Sequence, residues 1–84
     1  MYNVYIIKSA QKDAKNLPKR ELAAVLTKIS KLAENPRPYD CKKLIGSGNA
    51  YRIRQGNYRV LYTVIDKTKE ITIYKIEHRK DVYR

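Results

Sequence analysis

Arg52, Arg54 and Arg59 lie close together in the chain, and each is flanked by apolar residues: Tyr51 and Ile53 beside the first two, Tyr58 and Val60 around the third. Alternation of this kind sends odd and even positions to opposite faces of a strand. The segment 51–62 therefore reads as a β-hairpin with one apolar face and one basic face, turning at Gln55-Gly56-Asn57. Forked guanidiniums match the oxygens of a phosphate and effectively never deprotonate in proteins. Such a cluster suits binding and neutralising an anion, and leaves proton transfer to some other group. The plainer alternative is a row of arginines on the solvated face of a strand.

A two-residue loop at Gln55-Gly56 keeps the apolar residues together by pairing Arg54 with Asn57, Ile53 with Tyr58, Arg52 with Arg59 and Tyr51 with Val60. A three-residue loop would set arginines beside Tyr58 and Val60. In the preferred register Arg52 faces Arg59, and like charges opposed across a ladder disfavour a sheet by up to about 1 kcal/mol. A bound anion over the pair would remove that repulsion.

For proton transfer, histidine is the residue type that titrates near neutrality, and His78 is the only one in the chain. Lys80 or Tyr83 would need a shifted pKa for the same task. The hairpin-to-tail register carries His78 to the arginine side, although a strand-end histidine in an exposed charged tail is the simpler description. Tyr83, near the end of a basic strand, is a natural platform for stacking a nucleobase; its alternative is a ring packed on the core edge. Cys41 is the sole cysteine. It cannot form an internal disulfide, no partner base is marked for it, and it suits a reducing compartment. With one His, one Cys and scattered acids there is no recognisable metal-ligand cluster, and neither metal nor cofactor is expected.

Eighty-four residues are expected to form one domain, 1–84, with a single modest core. The formal net charge of +11 points to a polyanionic partner, either nucleic acid or an acidic protein. No apolar run approaches transmembrane length and no signal-peptide pattern opens the chain, so a cytoplasmic protein with no membrane partner is expected. All eight aromatic rings apart from the histidine are tyrosines, and several must serve the core. Residues 2–8 predict a strand, apolar on both faces and so placed inside the sheet. Ser9 is a candidate N-cap for a helix over 10–16, and Pro18 suits the first turn of a second helix over 19–34, where Leu22, Val25, Leu26, Ile29, Leu32 and Ala33 recur at helical spacing. A Pro- and Gly-marked loop carrying Lys42 and Lys43 leads to the hairpin, and a turn at 66–69 precedes a last strand over 70–76. Pairing Val64 with Ile71, Tyr62 with Ile73, Leu61 with Tyr74 and Arg59 with Ile76 continues the sheet. The resulting fold class is α+β: an N-terminal strand, two helices, then a three-stranded antiparallel meander, with the helices packed on one face.

These residues together resemble the RelE/ParE superfamily of toxins from toxin-antitoxin modules, and within it the RelE-type mRNA interferases. The likeness spans essentially the whole chain and is carried by the Lys43-Leu44 and Gly loop, Tyr51-Arg52-Ile53-Arg54, the run from Gly56 through Asn57, Tyr58, Arg59, Val60 and Leu61 to Tyr62, and the ending His78-Arg79-Lys80-Asp81-Val82-Tyr83. It implies a type II toxin that enters the ribosomal A site and cuts mRNA without a metal, the RNA 2′-hydroxyl acting as nucleophile, and that is held inactive by a cognate antitoxin. Arg52, Arg54 and Arg59 match basic positions of the family's active-site sheet, Tyr83 matches a base-stacking tyrosine, and Arg79 or Lys80 matches a basic residue before it. Well-studied members carry lysines where this chain has Arg52 and Arg54, and those arginines are poor general bases. A ParE-like toxin acting on DNA gyrase, which shares the fold, and a non-catalytic RNA-binding module are the alternatives.

Overall fold

The computed structural model describes residues 1–46 and 48–79. In chain order the elements are β1 (Asn3–Ile6), α1 (Lys8–Lys15), α2 (Lys19–Lys31), β2 (Lys42–Lys43), β3 (Ala50–Gln55), β4 (Tyr58–Ile65) and β5 (Glu70–His78). They form one five-stranded sheet in the order β1-β5-β4-β3-β2. β3, β4 and β5 are the expected antiparallel meander, β2 adds to it antiparallel, and β1 runs parallel to β5. The α+β class with both helices preceding the meander is thus as the sequence indicated. None of these helices is long and apolar enough to cross a membrane.

β1 lies at the edge of the sheet, not inside it. Its Val4 and Ile6 pack toward the core, while Tyr5 and Ile7 remain 49% and 41% exposed. The apolar residues on its second face are what suggested an interior strand. The two-lysine strand β2, read from sequence as loop, forms the other edge. α1 starts at Lys8, so Ser9 lies inside the helix and is not its N-cap; the N-cap is Ile7, without a side-chain cap, and Nε2 of Gln11 donates to the carbonyl of Ile6 at 2.7 Å.

The core lies between the helices and one face of the sheet. Ala10 of α1 and Val25, Ile29 and the C-cap Leu32 of α2 pack with Ile53, Val60, Tyr62, Val64, Ile71, Ile73 and Ile76. Spacings of four and three along α2 place its three residues on one stripe. Leu26 falls beside that stripe and is 42% exposed. Each large aliphatic side chain removed from water contributes about 1.5–3 kcal/mol before chain entropy is counted.

Two local features set the sheet register. The β3–β4 loop is Gly56-Asn57, with Gly56 at φ +60° in the first position, as a type II′ turn requires. Ile53 consequently pairs with Val60, Arg54 with Arg59, Arg52 with Leu61 and Tyr51 with Tyr62. The register differs by two residues from the one expected. Because side chains alternate with period two, an even shift preserves which residues share a face. In β4 and β5, Tyr62 pairs with Ile73 and Val64 with Ile71 as expected, but a bulge between Leu61 and Tyr62 shifts the remainder. Leu61 then pairs with Lys75, Val60 with Ile76, Arg59 with Glu77 and Tyr58 with His78.

At the far end of the sheet, one polar network fastens four segments. Arg37 donates to both oxygens of Asp66 at 3.0 and 2.8 Å and, through Nε, to the hydroxyl of Tyr51 at 2.9 Å. Tyr2 donates to the same carboxylate at 2.6 Å. Beneath them, fully buried Tyr62 donates to the carbonyl of Pro36 at 2.7 Å, and burial pushes its hydroxyl pKa up. Tyr62→Phe should lower stability by about 1–2 kcal/mol, measured by denaturant unfolding, because the Pro36 carbonyl loses its partner. The hydrogen bonds from Arg37, and then that from Tyr2, hold the Asp66 carboxyl below its ordinary pKa of 3.8. A pKa lower in the folded than in the unfolded chain stabilises fully above the unfolded value and is lost as pH falls through the folded one. Asp66→Asn should therefore lower Tm at neutral pH, with the difference shrinking as pH falls below about 3.8.

Candidate nucleic-acid interface

The face of the sheet turned away from the helices carries the three arginines. The II′ turn keeps Arg52 and Arg54 opposite in direction to buried Ile53, and Arg59 opposite in direction to buried Val60. Arg54 faces Arg59 directly, so the like-charge contact expected for Arg52 belongs to Arg54. Arg52 stands instead between Lys42 of β2 and Leu61 of β4. Two rows cross the strands on this face. One contains Lys42, Arg52, Leu61 and Lys75; the next contains Arg54, Arg59 and Glu77.

Glu77 was not singled out by the sequence reading. Nε of Arg59 donates to its Oε1 at 2.5 Å, and the two side chains are 24% and 12% exposed. Arg59 is thereby flanked by a cation on β3 and an anion on β5. The attraction to Glu77 offsets the repulsion from Arg54 and fixes where the guanidinium lies. The signal for this arrangement was present in the apolar series of β5: Ile71 and Ile73 are two apart, but Ile76 follows at three. Continuing strict alternation would have paired Arg59 with Ile76 and put an isoleucine among the arginines. The extra residue restores Ile76 to the core.

The same bulge corrects the position of His78. It pairs with Tyr58 on the helix side of the sheet, where the two rings meet edge to face with centroids 4.9 Å apart. Asp13, Asn16, Leu17 and Ile76 line the pocket it shares with Tyr58. It is therefore not on the arginine face. Arg79 is exposed at the end of β5, and its backbone N–H donates to the carbonyl of Asn57 at 2.7 Å, tying the strand end to the hairpin turn. Lys80 and Tyr83 lie outside the described residues. Among the described residues no three of His, Cys, Asp or Glu gather as a metal-ligand group.

Arginines aligned across adjacent strands can hold a phosphate in a fixed orientation and neutralise charge that builds on it. Chemistry on that phosphate also needs a proton acceptor, and the carboxylate in the row of Arg54 and Arg59 is Glu77.

Comparison with known proteins places this geometry in a family. Residues 4–83 match the family model described as the ParE toxin of type II toxin-antitoxin system, parDE. A putative toxin RelE1 from Methanocaldococcus jannaschii is 40% identical over 86 residues, covering 99% of this chain and 96% of that protein. Toxin RelG from Mycobacterium tuberculosis is 34% identical over 88 residues, covering 99% and 97%. Among solved structures, an archaeal RelE–RelB complex from Pyrococcus horikoshii matches with a TM-score of 0.84 and 38% identity, over 93% of this chain and 94% of that one. An arginine-lined sheet face, a meander packed under two helices and relatives of this kind over nearly the whole length make the chain a RelE-family toxin of the RelE/ParE superfamily of type II toxin-antitoxin systems.

Proposed function

We propose that this toxin is a ribosome-dependent endoribonuclease that cuts mRNA in the A site, with the 2′-hydroxyl of the RNA attacking the adjacent phosphate. The observation that carries the reading is the pair of basic rows across β2 to β5, which has Arg54 and Arg59 in direct opposition. Stability alone gives no reason for that opposition, whereas a phosphate bridging the guanidiniums removes its cost. In-line attack gains from fixed geometry and from positive charge around the crowded phosphorane. Arg52, Arg54 and Arg59 supply both. Tyr83 stacks on a base beside the cut, and Arg79 or Lys80 adds charge at the same end. The reaction so described calls for no metal or cofactor. A cognate antitoxin, in the place that RelB takes as the partner of RelE in the Pyrococcus horikoshii complex, would silence the toxin by covering the arginine face or displacing Tyr83. This assignment places the protein, at work, on the cytoplasmic ribosome and as one domain.

One observation favours a second reading. The matching family model is described by ParE, and a ParE-like toxin acting on DNA gyrase would share this fold. The purified toxin in a translation extract, with a parallel gyrase supercoiling assay, separates the two. Primer extension should reveal new mRNA ends within ribosome-occupied codons while supercoiling proceeds. Intact mRNA with blocked supercoiling would reverse the assignment, and intact mRNA with normal supercoiling would leave only RNA binding.

The arginines should divide by register. Arg54→Ala removes one of two facing cations and should leave stability unchanged or raised by up to about 1 kcal/mol, while lowering cleavage. Arg59→Ala should lower cleavage most. It should also destabilise by about 1–3 kcal/mol, because it strands Glu77 in a largely covered position. Thermal melts beside single-turnover cleavage rates check both.

A further inference from the structure

Resting on the ribonuclease reading, we infer that Glu77 is the group that accepts the proton of the attacking 2′-hydroxyl. Three observations lead there. The arginines of the face cannot deprotonate in the working range. His78, the residue type best suited to the task, is turned to the helix side against Tyr58. Glu77 stands on the arginine face in the same row as Arg54 and Arg59.

The geometry suits a base. Arg59 engages Oε1, so that Oε2 is the oxygen to accept the proton while the carboxylate stays oriented. Other charged groups surround it. Arg59 and Arg54 face it along the row from β4 and β3, and Lys75 and Arg79 flank it along β5, whereas Asp13 of α1, which accepts the backbone N–H of Ile76 at 3.1 Å, lies on the helix side of the sheet. A phosphate over Arg54 and Arg59 would carry its 2′-hydroxyl beside this carboxylate. As the 2′-oxygen bonds to phosphorus, its proton passes to Glu77. The bond from phosphorus to the 5′-oxygen breaks, and its electron pair leaves on that oxygen. Solvent water protonates the 5′-oxygen, and Glu77 returns its proton to solvent. The products are a 2′,3′-cyclic phosphate and a 5′-hydroxyl.

The test is single-turnover cleavage of mRNA on programmed ribosomes, with saturating toxin, from pH 6 to 9, comparing wild type, Glu77→Gln and Glu77→Asp. Gln keeps an acceptor for Arg59 Nε–H and removes only the basic carboxylate. The expected result is a loss of at least roughly 100-fold at neutral pH in E77Q. Its rate should climb about tenfold per pH unit as hydroxide takes over the base role, so the deficit shrinks at high pH. E77D, which keeps a carboxylate, should be slower than wild type but retain its flatter profile. E77Q within about threefold of wild type, a deficit that stays constant with pH, or a hydroxide slope in E77D would each assign Glu77 to positioning Arg59 and overturn the proposal. Wild-type toxin that leaves mRNA intact on ribosomes would overturn the ribonuclease reading itself, and this inference with it.

Discussion

A single extra residue in β5, opposite the junction of Leu61 and Tyr62, decides what the basic face of this toxin contains. Upstream of it, Ile71 and Ile73 face the core; downstream, Ile76 does so only because the bulge resets the alternation. Strict period-two pairing would bury Glu77 against the helices and expose Ile76 and His78 among arginines. Burying an ionised carboxylate without a partner is far more costly than a local break in a ladder. The bulge therefore serves core and site together, and it also brings Lys75 into line with Leu61 and Arg52.

The two ends of the sheet solve different problems. At the β4–β5 turn, Arg37, Asp66, Tyr2 and Tyr51 close a network of matched donors and acceptors, and buried Tyr62 ties the loop after α2 to the core. The other end concentrates like charge, with Arg54 and Arg59 opposed and a single described carboxylate between β4 and β5 to hold one of them. Local consistency at the first end allows conflict at the second, where the proposed function puts a polyanion.

Much of this was legible in the sequence because parity is robust. The hairpin register was two residues away from the one expected, yet Arg52, Arg54 and Arg59 still shared a face, since an even slip moves no side chain across the sheet. The type II′ turn explains the slip: a glycine with positive φ is needed at the first loop position, which makes the loop Gly56-Asn57. An odd insertion has the opposite effect, which is why His78 was expected on the wrong face and Glu77 was missed. Edge against interior was not legible for β1 either, because its parallel pairing with β5 joins chain ends that carry no local record of each other.

The pairing of Arg59 with Glu77 is where register, charge and chemistry meet, and a double-mutant cycle in thermal unfolding tests it most directly. Arg59→Ala, Glu77→Ala and the double variant should show a coupling energy of about 1 kcal/mol or more, as expected for a contacting, largely covered ion pair. Additive effects, with coupling near zero, would mean that the bulge does not bring these two side chains together and would contradict the account of the face.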